Sequence, residues 1–91
     1  MVGNYEDASD AAERALTQLA TFPPALRLKV VTSGLLGRLD EGRACVQRLL
    51  AVNPNASVAM LRAYYEPVWR SNPAALKSYL EGLRASGLPE G

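Results

Sequence analysis

The chain has 91 residues, ten basic and nine acidic, for a net charge of +1. It therefore lacks the one-signed field that draws a protein to nucleic acid or to an anionic membrane. One cysteine and no histidine exclude an intrachain disulfide and a zinc site of the usual ligand set, and the 48% hydrophobic share is that of one small folded domain with a modest core.

The first predicted helix runs from Tyr5 to Ala20. Its apolar residues Ala8, Ala11, Ala12, Ala15, Leu16 and Leu19 follow the i, i+3, i+4, i+7 stripe of an amphipathic helix. Glu6, Asp7 and Asp10 suit the positive end of its dipole, and Thr21-Phe22-Pro23-Pro24 stops it. The second helix spans Pro24 to Leu36, with Leu26, Val30, Val31 and Leu35 as its apolar set and Gly37 as its stop. The third opens at Asp40, an N-cap type. It carries Val46, Leu49, Leu50 and Val52 to the break at Asn53-Pro54. The fourth follows Ser57 through Val58, Met60, Leu61, Tyr64 and Tyr65 to Pro67. The fifth opens at Asn72-Pro73, an N-cap before a first-turn proline, and carries Leu76, Tyr79, Leu80 and Leu83 to Gly87-Leu88-Pro89. No segment alternates in the manner of a strand, so the fold class is all-α. No run approaches the roughly 20 apolar residues of a membrane span. The N-terminus lacks the basic segment and apolar core of a secretory signal, which makes the cytoplasm the expected compartment.

These helices recur. Gly3-Asn4-Tyr5 returns as Gly37-Arg38-Leu39. The set Ala8, Ala12, Ala15, Leu16 returns in the same register as Gly42, Val46, Leu49, Leu50, and again, worn down, as Leu76, Leu80, Leu83. A period of about 34 residues marks stacked helix–turn–helix units. The register groups the helices as one orphan second helix, one complete pair and one degenerate pair.

The middle copy resembles the tetratricopeptide repeat (TPR). Gly42-x3-Val46 matches that family's small-then-bulky step, Ala8-x3-Ala12 repeats it, Pro54 stands at the closing proline, and Gly37 to Gly42 looks like the turn between paired helices. The copy departs from the pattern at Leu26, where tryptophan is usual, at Lys29-Val30 in place of Leu-Gly, and at Ser33 in place of tyrosine. The resemblance implies a right-handed α-α superhelix of antiparallel helix pairs, about two and a half repeats in five helices, forming a single domain over 1–91. It also implies a scaffold that binds a protein or peptide on its concave face. The stretch from Gly37 to Pro54, with Ser57 to Arg62 and Tyr79 to Glu90, is similar to the end of TPR arrays in bacterial multidomain regulators. Those include class III adenylate/guanylate cyclases, and some relatives carry a DNA-binding domain. On that likeness the chain is the C-terminal fragment of a longer protein.

By the same implication the concave face holds Arg27, Val31, Leu35, Leu61 and Tyr65, with Arg62 nearby. Tyr64, Tyr65, Trp69 and Tyr79 concentrate aromatic area in the last pair. Such residues wedge a cap against its neighbour or bind a partner, with Tyr65 and Trp69 expected to be the exposed ones. Arg27 is the one cation placed as a carboxylate clamp requires, and Val31 stands where asparagine belongs, so a carboxylate clamp is not expected. The expected surface is therefore an apolar groove with Arg27 and Arg62 as anchors for an acidic partner. A second expectation is self-association: the stripe Ala8, Ala12, Leu16, Leu19 must find cover in an upstream helix or in a second copy. Cys45 reads as a small buried residue. No catalytic, metal or cofactor motif is present, so neither enzyme activity nor a cofactor is expected. The expected partners are a protein or peptide, or a second copy, and neither nucleic acid nor membrane.

Overall fold

The computed structural model describes residues 4–91. Gly3, where the first copy of the repeat begins, lies outside them. Five helices follow in order: α1 (Tyr5–Gln18), α2 (Pro23–Leu35), α3 (Leu39–Val52), α4 (Val58–Tyr65) and α5 (Pro73–Ala85). No strand occurs among the described residues, so the all-helical reading and the number of helices hold. No described helix is long and apolar enough to cross a membrane.

The ends follow local chemistry. Ser57 Oγ accepts from the Met60 amide at 3.0 Å and Asn72 Oδ1 from the Ala75 amide at 3.2 Å. Each satisfies one donor that a helix start leaves free. Gly37 and Gly87 take φ of 78° and 93°. Beyond them the Arg38 amide donates to the Ser33 carbonyl and the Leu88 amide to the Leu83 carbonyl, at 2.8 and 3.1 Å. That is the left-handed glycine stop. Three boundaries move from their predicted places. α1 ends at Gln18, because Leu19 is already extended. α2 admits both prolines into its first turn. α3 begins at Leu39, so Asp40 sits inside the first turn and Arg38 takes the cap position.

α2 is the hub, and α1, α3 and α5 all pack on it. Every residue of α2 from Lys29 to Ser33 is buried, a run longer than one helical turn of 3.6 residues, so the middle of the helix is covered on all sides. Leu26, Val30, Leu49 and Leu83 have no exposed surface. Each such side chain contributes about 1.5–3 kcal/mol of burial. The repeat register is visible in this core, since Ala12, Val46 and Leu80 are all buried at equivalent places.

A row of hairpins leaning only on chain neighbours would set α5 against α3 and α4. Here α5 makes its main contact with α2. The cause is glycine. A Cβ on Gly82 would lie 2.5 Å from the Val31 carbonyl oxygen, and one on Gly34 would collide with the Gly82 carbonyl. The two backbones therefore touch. Past the crossing, Ser86 Oγ donates to the Val30 carbonyl at 2.7 Å, fully buried, and Gly42 of α3 leaves the space that Ser86 occupies. α4 is eight residues long and packs on α5. Its first amides, Val58 and Ala59, donate to the carbonyls of Pro89 and Glu90, both at 2.8 Å, so the C-terminal tail caps it.

Among the described residues one charged side chain is buried. Lys29 Nζ donates to Ser9 Oγ at 2.9 Å and pairs with Glu13 at 3.1 Å and Glu41 at 3.6 Å. It joins α1, α2 and α3 at one point. Gly82→Ala tests the crossing by its sign. In an open helix interior the change stabilises by about 0.5–1 kcal/mol; here urea unfolding is expected to show a loss of about 1–3 kcal/mol, the range for overpacking. Lys29→Met keeps the buried stem but orphans Ser9, and should cost about 1–3 kcal/mol. Glu13→Gln, at a half-exposed partner, should cost under about 1 kcal/mol in the same assay.

Candidate functional site

α1 and α5 stand on either side of α2 and leave a groove of about 580 Å³ between them. Leu28, Val31, Thr32 and Leu35 of α2 form its floor at i, i+3, i+4, i+7, one helical face. The Thr32 hydroxyl is already engaged with the Leu28 carbonyl at 2.9 Å, so the floor makes little polar demand. Ala8 of α1 and Ala75 and Ser78 of α5 keep the walls low, and Tyr5 and Tyr79 close the corners.

Tyr79 also belongs to an aromatic cluster. Tyr65 and Trp69 stack at 5.0 Å with 14° between their planes, and Tyr79 lies 4.9 Å from Tyr65 and 5.2 Å from Trp69. Tyr64 meets the Tyr65 ring edge-on at 4.9 Å. Burial, and then the Tyr65 hydroxyl, push the Tyr79 phenol above its ordinary value, and the Arg27 guanidinium acts weakly the other way. Arg27 itself is half-buried, and its Nε is buried without a hydrogen-bond partner.

The residues singled out from the sequence divide among several places. Val31 and Leu35 come to the groove, as does Ala8. Tyr65 and Trp69 lie in the aromatic cluster, and Arg27 acts on Tyr79 at its edge. Leu61 is 2% exposed and belongs to the core. Arg62 is on the outside, 3.7 Å from Glu66, the residue that follows its helix. Tyr65 and Trp69 are half-buried, and Tyr64, at 64%, is the exposed aromatic of the cluster. The apolar stripe of α1 finds its cover in α2: Ala12 and Leu16 are buried there, and Leu19 alone stands out, at 54%. Leu28, Tyr5, Ala75 and Ser78 line the groove without having been singled out. The signal for Leu28 was a second apolar row on α2, with Val31 and Leu35, beside the row that fills the core. Cys45 is buried, and that burial raises its thiol above the ordinary value despite Arg48 and Lys29 nearby, the opposite of what a nucleophile needs.

No protein family, curated protein or solved structure matches the chain.

The raised Tyr79 phenol has a consequence at high pH. The unfolded chain loses this proton near the ordinary 10.0 while the folded chain keeps it. The stabilisation is complete below pH 10 and is lost as pH rises from there. Unfolding free energy should therefore fall above pH 10 in the native protein, and fall less steeply in Tyr79→Phe. Equal slopes in the two proteins would contradict the burial of this hydroxyl.

Proposed function

We propose that the chain is a protein-interaction module and that the groove between α1 and α5 receives an apolar helical segment of a partner protein. One observation carries the reading. α2 carries two apolar rows, one filling the core and one made of Leu28, Val31 and Leu35, and an apolar face is stable only when covered. Three helices enclose its middle, while Leu28 and Leu35 stay half-buried on an open floor. The low walls favour a helix as occupant, because alanine and serine let a backbone come close.

The repeat register supports the finer reading, a TPR-like right-handed superhelix, through α1, α2 and α3, where α2 is flanked by successive copies of the same helix type. The crossing of α5 on α2 then closes the stack. On the likeness of its C-terminal half to TPR arrays of bacterial regulators, the module would serve an attached cyclase-like or DNA-binding domain in the cytoplasm. Self-association is supported by a smaller surface: Leu19 and Phe22, 54% and 41% exposed, in the turn between α1 and α2.

Selection of displayed peptides on the immobilised chain tests the groove. Peptides that bind are expected to be amphipathic helices. Ala8→Arg and Ser78→Arg, which fill the groove from opposite walls, should weaken them by at least about tenfold, or 1.4 kcal/mol, with helicity by circular dichroism unchanged. Peptides that bind the filled variants as well as the native chain would place the interaction elsewhere.

A further inference from the structure

We infer that the groove takes a partner helix of the same kind as α2, running antiparallel to α1 and holding a lysine or arginine opposite Asp7. The inference rests on the interaction reading above and adds the direction and charge of the partner segment.

The repeat supplies the template. α1 and α3 share one register, a period of about 34 residues apart, so Ala8, Ala11 and Ala15 correspond to Gly42, Cys45 and Leu49. In α3 all three are buried, and α2 is the helix packed on it. In α1 the same row is open: Ala11 is exposed, and Ala8 and Ala15 are half-buried. α1 thus spends its other apolar row, Ser9, Ala12 and Leu16, on α2 and leaves bare the row that α3 covers with the helix before it. Ala8 of that bare row is a wall of the groove, next to Leu28 and Leu35. A helix set on α1 as α2 is set on α3 would therefore cover the groove floor as well.

Direction and charge follow from the same pair. Ser33, late in α2, meets Gly42, early in α3, and Arg48, late in α3, donates to the Ala20 carbonyl, which precedes α2. The two helices are antiparallel, joined as a helical hairpin. Across them Lys29 reaches Glu41 at 3.6 Å. The α1 residue in the place of Glu41 is Asp7. It is exposed, lies one turn from Ala11 on the same side of the helix, and has no ion pair among the described residues. A cation carried where α2 carries Lys29 would meet it at the rim. The acidic partner expected from the sequence has no anchor here, since neither Arg27 nor Arg62 lines the groove. A second copy fits poorly. Its α2 is already enclosed by α1, α3 and α5, and its α1 would set alanine on alanine and leave Leu28 and Leu35 bare.

The probe is a synthetic peptide copying residues 23–36 of this chain, followed by fluorescence anisotropy with the full chain. The copy should bind saturably, and Ala11→Arg and Asp7→Lys should each weaken it at least about tenfold. A copy with Lys29→Glu should bind Asp7→Lys better than the unaltered copy does, a reversal that a misfolded variant cannot produce. A nitroxide at the C-terminus of the copy should broaden the Ala8 amide signal, and one at its N-terminus the Ala15 signal. A copy that lies parallel to α1, or that binds Asp7→Lys undiminished, overturns the inference and leaves the groove intact. So does a copy that fails to bind while displayed peptides still do. Failure of the copy and of the displayed peptides together overturns the groove reading too. A native chain that dimerises, and becomes monomeric with Ala11→Arg, would give this face to a second copy and overturn the inference.

Discussion

The contact between the backbones of α2 and α5 governs most of what the rest of the molecule does. Two helices normally stand 8–10 Å apart because side chains separate them. Gly34 and Gly82 remove that spacer from both sides of one crossing. With the backbones touching, the end of α5 reaches far enough to bury Ser86 against the Val30 carbonyl and to seat it in the space that Gly42 leaves on α3. Leu83 and Leu88 are drawn into the core with it. The tail that follows then lies where it can cap α4. One steric allowance thus sets the position of the last two helices.

The opposite side of α2 is set by charge. The Lys29 ammonium is buried, and its oxygen partners come from α1 and α3. A buried ammonium tolerates few arrangements of its acceptors, because any that leaves it unpaired is strongly unfavourable. The pairs add little to net stability, since Glu13 and Glu41 are more than half exposed and screened by water. Their effect is on register: α1 and α3 must present Ser9, Glu13 and Glu41 at the same level of α2. Apolar packing alone would allow α1 to slide, since its buried face is built from alanines and one leucine.

The helices were legible because their signals are local. Periodicity, proline, the asparagine and serine caps and the glycine stops act within a few residues, and each found its place to within two residues or fewer. The register of the repeat was legible as well, and Ala12, Val46 and Leu80 are buried accordingly. The arrangement was harder to read, since it depends on contacts between residues far apart in the chain. Gly34 and Gly82 carry no mark that distinguishes a crossing point from an ordinary helical glycine. Lys29 and Ser33 stood out only as departures from a repeat pattern, yet both are buried and both have reasons. A side chain larger than serine at position 33 would press on Gly42, whose absent Cβ already falls 3.4 Å from the Ser33 Cβ. The candidate site inherits this division. Helical spacing made Val31 and Leu35 part of the apolar set of α2 and the repeat resemblance put them on a binding face, whereas the walls that make a groove of them come from helices brought in by the distant glycines.

That dependence explains why the groove stays open. Closing it would require α1 and α5 to approach each other over Leu28 and Leu35, and neither is free to do so. α1 is tied to α2 by Lys29, and α5 is held against α2 at its C-terminal half by the glycine crossing. Pro67 and the short α4 bring the chain into α5 from the side of the aromatic cluster, which props Tyr79 against the groove wall. The open floor is therefore a result of two rigid attachments on either side of it. A helix that enters need not displace anything already packed there. The apolar surface it would cover is one side of a helix whose middle is already packed on its other sides, and an occupant loses less affinity where the receptor is ordered in advance.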